Sequence, residues 1–268
     1  MKNNVFGKFQ GFKAYRLGAT FGDRALLVIY YFLIRLNRKL GKSYFKKTRS
    51  VALTYKHITF QYLITNLDDY RLLEEIFINT QYHIETGELT QTIVDLGSNV
   101  GTSIVYFLAE HPSAHIYGFE PTTYCFDRLM STVGKHPSVT LEKKAVGITD
   151  GEIASIYIHP QGHSGSSNFF IDGSTKEEVP VISLDSIIQK HSLTSIDILK
   201  VDIEGYEYEV FKHFKNLHLV KYIMVEIHPF LSGYSQDDFL ALLPGFKITT
   251  ILQNPYSGKT VQINLIRI

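Results

Sequence analysis

Thr92-Ile-Val-Asp-Leu-Gly-Ser-Asn-Val-Gly101 is a short apolar run that ends in an acid and a glycine-bearing turn. A helix-like segment follows, and a second run, Tyr117-Gly-Phe-Glu-Pro121, also closes on an acid. An α/β sheet presents a nucleoside in this way: glycine lets the backbone approach the ligand, and a carboxylate accepts from the ribose hydroxyls. Asp95 and Glu120 are the two carboxylates, and Pro121, which has no N–H, helps end the second strand. Gly97, Asn99 and Gly101 form the turn. Its glycines are spaced G-x-x-x-G, whereas a pyrophosphate-binding turn calls for G-x-G-x-x-G. The ligand expected is therefore a nucleoside without a pyrophosphate, and S-adenosylmethionine is such a compound. Gly97 would admit its methionine portion, Asp95 would accept from its ammonium directly or through water, and the next helix would offer free N–H groups to its carboxylate.

Outward from this stretch, strand and helix patterns alternate. The sequence predicts strands at 92–96, 114–119, 139–146, 197–201, 221–226, 247–252 and 261–268. It predicts helices at 101–110, 123–133, 184–190, 206–214 and 236–243. Strands separated by helices imply βαβ units and a mainly parallel sheet. The last two strands have only Gln253-Asn-Pro-Tyr-Ser-Gly258 between them, a turn composition, so they form an antiparallel hairpin. Ala145 and Val146, at the end of the third strand, are placed to wall an adenine. Residues 153–181 read as a hairpin with a polar Gly/Ser loop. Upstream, 51–65 reads as a strand and 68–80 as a helix that covers the sheet. The expected organisation is an extension over 1–50, a lead-in over 51–91 and a nucleoside-binding domain over 92–268.

The 268 residues include one cysteine, Cys125, so no intrachain disulfide can form. No Asn-x-Ser/Thr acceptor is present, and both features suit a cytoplasmic protein. A net charge of +1 conceals a split: residues 1–50 hold twelve Lys/Arg and one acid, giving +11, and the rest hold fifteen and twenty-five, giving −10. Within the basic part, Ala25-Leu-Leu-Val-Ile-Tyr-Tyr-Phe-Leu-Ile34 falls short of the ~20 apolar residues a spanning helix needs. Two readings stay open. It packs as a helix on the domain or on a second subunit, or it makes peripheral contact with the inner face of a membrane, with Lys42, Lys46, Lys47 and Arg49 near anionic head groups. No nucleic-acid-binding module is recognisable.

Ile198-Leu-Lys-Val-Asp-Ile-Glu-Gly-Tyr-Glu207 is a second dense cluster, and Val225-Glu-Ile-His-Pro229 ends the neighbouring strand. Alternation puts Lys200 and Asp202 on one face, and adjacent strand ends gather Asp202, Glu204, Glu226 and His228 around one pocket. Taken with Val94–Gly101, Phe119-Glu-Pro121 and Ser183-Leu-Asp185, the chain over about 90–268 resembles the FkbM-like class I methyltransferases. The resemblance implies a Rossmann-like α/β fold with a seven-stranded sheet. It also implies S-adenosylmethionine as methyl donor and O-methylation of a hydroxyl, often on a sugar of a glycan, glycolipid or natural product. It does not extend to the basic N-terminus.

Methyl transfer to a hydroxyl requires an acceptor oxygen held against the methyl and removal of its proton. His228 is the first candidate base, since imidazole titrates near neutrality, and Asp202 is the second. Asp202, Glu226 and His228 form the catalytic set. A divalent cation on the same three groups is an alternative that the spacing does not favour. Glu204, with His163, Ser164 and Ser166 of the polar loop, would grip a polyhydroxylated or small-molecule acceptor. A nicotinamide-dependent oxidoreductase is the competing enzyme reading, and a non-catalytic scaffold binding through the basic N-terminus is the other.

Overall fold

The computed structural model describes residues 11–40, 48–86, 89–158, 175–253 and 260–268. A 3₁₀ turn, Phe12–Leu17, leads into helix α1 (Phe21–Leu40). The Asp23 carboxylate accepts from the Thr20 N–H and hydroxyl while Thr20 Oγ1 accepts from the Asp23 N–H, a reciprocal N-terminal cap. Strands β1 (Arg49–Tyr55) and β2 (Ile58–Ile64) form an antiparallel hairpin of their own. The single strand expected over 51–65 is thus two, because Lys56 adopts φ 50° and reverses the chain. Asn66 caps helix α2 (Leu67–Leu73), accepting from the Asp68 and Asp69 N–H groups. The helix expected to reach residue 80 widens instead into a π turn, Glu74–Ile78.

The main sheet comprises β3 (Thr92–Leu96), β4 (His115–Phe119), β5 (Val139–Glu142), and, further along the chain, two strands and a closing pair. Helices α3 (Thr102–Glu110) and α4 (Thr123–Val133) link the first three. The strand expected over 139–146 breaks after Glu142. Ala145–Gly147 is a separate strand, β6, which pairs in parallel with β8 (Thr175–Ser183), and β8 pairs antiparallel with β7 (Ile153–Ile158). Helix α5 (Leu184–Lys190), strand β9 (Ile196–Val201), helix α6 (Glu207–His213), strand β10 (Val220–Ile227), and helices α7 (Pro229–Ser232) and α8 (Gln236–Leu240) follow. Strands β11 (Phe246–Gln253) and β12 (Val261–Arg267) complete the order β11-β12-β10-β9-β3-β4-β5. Neighbours from β10 to β5 are parallel, and β12 is antiparallel to both β10 and β11. This is the expected α/β architecture, including its terminal hairpin.

Two cores flank the sheet. On one face, Ile93, Ile116 and Ile198 meet α3, α4, the β1–β2 hairpin, α2 and the inner side of α1. On the other, Val94, Leu96, Leu199 and Val225 meet α5, α6 and α8. The N-terminal elements therefore share a core with the nucleotide-fold strands, and the Arg128–Asp69 ion pair at 2.8 Å joins α4 to α2 within it.

At the carboxyl end of β3 the chain turns with Gly97 at φ 80°. The Gly97 and Ser98 N–H groups both donate to the Phe119 carbonyl, and a Cβ on Gly97 would lie 1.9 Å from the Asp202 carbonyl oxygen. Left-handed backbone and close approach thus coincide, and only glycine satisfies both. Gly97→Ala is expected to cost more than about 2 kcal/mol of stability, read as a lowered urea midpoint. A midpoint equal to wild type would show that the β3 and β9 ends can separate freely.

Candidate active site

The groups expected from the sequence stand mainly at the carboxyl ends of β4, β3, β9 and β10, where open parallel sheets bind ligands. Asp95 and Lys200 face each other in the β3–β9 register. Both are buried, with Lys200 Nζ 3.1 Å from Asp95 Oδ1 and donating to the Gly97 carbonyl at 2.6 Å. The Ser103 hydroxyl donates to the other Asp95 oxygen at 2.6 Å. Burial drives the Lys200 ammonium down, but the Asp95 and Asp202 carboxylates outweigh it, so the group stays charged. Asp95 is thus fully buried, its Oδ1 ion-paired with Lys200 but without a hydrogen bond and its other oxygen bonded to Ser103.

Glu120 follows β4 and is also buried. Its Oε1 accepts from the Thr122 N–H and hydroxyl, and its Oε2 accepts from the Asn99 N–H at 3.0 Å. Asn99 adopts φ 48°, and this bond pins it. A carboxylate offers about four acceptor positions, and three are filled here by protein donors. Burial pushes the Glu120 carboxyl above its ordinary value, while the Thr122 and Asn99 bonds pull the other way. Gly101, at φ 91°, starts α3, and its bare Cα lets α4 approach through Leu129. Pro121 links Glu120 to the Thr122 turn. Ala145 is displaced from the position expected for it: it opens β6 and lines a cavity of about 340 Å³ with Val146, Val181, Tyr157 and Tyr206.

The second cluster assembles as the strand ends predict. The His228 ring is buried between two carboxylates, with Nδ1 2.9 Å from Glu207 Oε1 and Nε2 3.4 Å from Glu204 Oε2. Burial pulls its pKa down, but the Glu207 bond and charge win, raising it to about 10, so the ring is an imidazolium at neutral pH. Glu204 and Glu226 are both pushed up by burial, and neighbouring carboxylates reinforce the shift. Glu226 accepts from the Thr260 hydroxyl at 2.6 Å. Asp202 lies 3.8 Å from Lys200 Nζ through its carboxylate. One ligand atom each from Asp202, Glu204 and His228 lie within 4.8 Å of one another, with Glu204 in place of the Glu226 expected. This mixed carboxylate–imidazole set would take a divalent cation only with the His228 ring deprotonated. His163, Ser164 and Ser166 lie outside the described residues.

Three members of the site escape sequence reasoning. Glu207 reads as a helix-start acid favoured by the dipole and does open α6, but it is also buried, accepts from the Ile203 and Gly205 N–H groups and fixes the His228 ring. Tyr82 places its ring 5.9 Å from Lys200 Nζ. Glu75, on the π turn, feels the Glu226 and Asp202 charges, and burial raises it to about 7. A helix that widens at a carboxylate is a signal for function, but it is visible only in the folded chain.

Glu75 sets a pH dependence. Its carboxyl titrates above the ordinary 4.5 in the folded protein, so the native state retains a proton that the unfolded chain has released. Stability is therefore lost as pH rises from the ordinary value through about 7. Glu75→Gln is expected to melt close to wild type in mild acid and above it in mild alkali. A melting-temperature gap that does not widen with pH would remove Glu75 from the cluster.

The chain is similar in sequence to known methyltransferases. The family model described as Methyltransferase FkbM domain matches residues 95–247. The hexuronic acid methyltransferase AglP of Haloferax volcanii is 29% identical over 169 residues, which cover 62% of this chain and 67% of that protein. Methyltransferase sdnD of Sordaria araneosa is 25% identical over 200 residues, covering 62% and 77%. The crystal structure of an FkbM methyltransferase from Methylobacillus flagellatus KT aligns with a TM-score of 0.45 at 12% identity, over 74% of this chain and 53% of that one.

Proposed function

Because this chain belongs to the FkbM methyltransferase family, we propose that it transfers a methyl group from S-adenosylmethionine to a hydroxyl of a sugar-containing acceptor. The observation that carries this reading is the contact between the glycine turn and the acidic cluster. Gly97 abuts the Asp202 backbone, so a donor held on the Gly97–Asn99 turn borders the groups that can take up a proton. When bound, the donor supplies an electrophilic methyl on sulfur. The chain's own residues bind it, orient the acceptor and accept the acceptor's proton.

Glu120 fits the donor through the one acceptor position its protein partners leave open. On the acceptor side, His228 holds its proton, fixed by Glu207, and serves as a cationic donor that orients Glu204 and an acceptor oxygen. Asp202 then receives the hydroxyl proton, because its backbone abuts Gly97 and its carboxylate, 27% exposed, is open to an acceptor. Glu226 and Glu204 supply further hydrogen-bond acceptors, which match a polyhydroxylated ligand. The similarity to a hexuronic acid methyltransferase supports a sugar as the acceptor class.

Calorimetry with S-adenosylmethionine and with NAD tests the donor. The first should bind and the second should not; the reverse would favour an oxidoreductase, and binding of neither would favour a scaffold. Glu120→Ala should weaken donor binding by about 1–3 kcal/mol, and unchanged affinity would remove Glu120 from the ribose role.

Asp202→Asn should lower turnover by ~10²–10⁴ with a much smaller effect on donor affinity. His228→Gln should lower it less. A larger loss in the His228 variant, together with a shifted acidic limb of the pH–rate profile, would return the base role to His228. Transfer of label from the methyl donor into polysaccharide, lipid or small-molecule fractions of a cell extract identifies the acceptor class.

A further inference from the structure

Helix α1 has two apolar sides, and among the described residues only one is packed into the core, the other meeting just the Phe12 ring through Phe32. Leu27, Tyr30 and Tyr31 point into the core. On the opposite side Phe21, Ala25, Ile29, Phe32, Leu36 and Leu40 follow at intervals of four, four, three, four and four residues. That spacing aligns them on one face of a helix about 30 Å long. Phe21 is 88% exposed, Ile29 55%, Phe32 48%, Leu36 44% and Leu40 51%. A helix resting only on its own domain turns polar residues outward. Here the outward side is a continuous apolar stripe.

The charges around the stripe have one sign. Arg24, Arg35 and Lys39 fall along one flank by helical spacing. The single acid of the helix, Asp23, is engaged with Thr20 in the N-terminal cap. The first fifty residues carry twelve basic side chains against this one acid. Two copies meeting stripe to stripe would bring like-charged flanks together. A surface that is apolar beneath and anionic above matches both features at once. No described helix is long and apolar enough to cross a membrane, so the helix would lie along the surface.

We propose that α1 docks this protein on an anionic lipid bilayer, with the Phe21–Leu40 stripe among the acyl chains and the basic flank among the head groups. The proposal rests on α1 alone and does not depend on the methyl-transfer reading. The inner face of the helix stays packed on α2 and the 3₁₀ turn, so docking requires no unfolding.

Co-sedimentation of the full-length protein with vesicles tests it. Vesicles of equal parts phosphatidylcholine and phosphatidylglycerol should retain the protein, phosphatidylcholine alone should retain little, and high salt should weaken retention. The double substitution Ile29→Asp with Leu36→Asp removes two half-exposed apolar anchors. It should lower partitioning at least ~10-fold without lowering the melting temperature. Lys39→Glu should lower it by a smaller factor and restrict the loss to anionic vesicles. Failure of the wild type to bind anionic vesicles, or equal binding by the folded double variant, would overturn the proposal. So would a lipid-free dimer that the same double substitution dissolves, which would hand the stripe to a second copy of the chain.

Discussion

The buried pairing of Asp95 with Lys200 is the constraint on which the rest of the site depends. Two charges leave water to meet across adjacent parallel strands, and the arrangement holds only because each finds further partners. Removing one member of such a pair typically costs about 3–5 kcal/mol, since the other is left buried and alone. The ammonium reaches past Asp95 to the Gly97 carbonyl, and Ser103 ties the carboxylate to the first turn of α3. One ion pair thereby sets the end of β3, the glycine turn, the start of a helix and the end of β9. Burial of that kind is weak as a source of stability and strong as a source of position.

Above that pair the site gathers like charge. Glu75, Asp202, Glu204 and Glu226 approach one another, and Lys200 and His228 answer only part of their repulsion. The upward-shifted carboxyls are the cost of assembling groups that are useful because they are not fully satisfied. His228 shows the same logic in reverse. Its flanking carboxylates keep it cationic, and Glu207 holds the ring so that one nitrogen faces the cluster. A histidine near neutral in isolation becomes a fixed positive charge when a buried carboxylate bonds to it.

The N-terminal elements contribute more than cover. The π turn carries Glu75 toward the acids at the strand ends, and Tyr82 lies against Lys200. Meanwhile α1, α2 and the β1–β2 hairpin fill one of the two cores. Residues 11–40 and the strands of the main sheet are therefore parts of one packed unit, and an outward-facing helix can present an apolar stripe without cost to the fold.

Strand and helix order, the terminal hairpin and the paired strand-end acids were legible in the residues, because alternation and glycine placement report local geometry directly. Leu184–Lys190 and Thr123–Val133 form the helices their patterns predict. The break after Glu142 was not legible: both halves are β-like, and only pairing with β8 in place of β4 separates them. Nor could Glu207 be told from an exposed helix-start acid, since its identity and spacing are the same in either case. Local pattern by itself determined which residues sit at the tips of the parallel strands. Only the tertiary structure decided which of those acids are spent on Lys200, Thr122 and His228 and which stay open to a ligand, because a carboxylate's role depends on partners that arrive from distant parts of the chain.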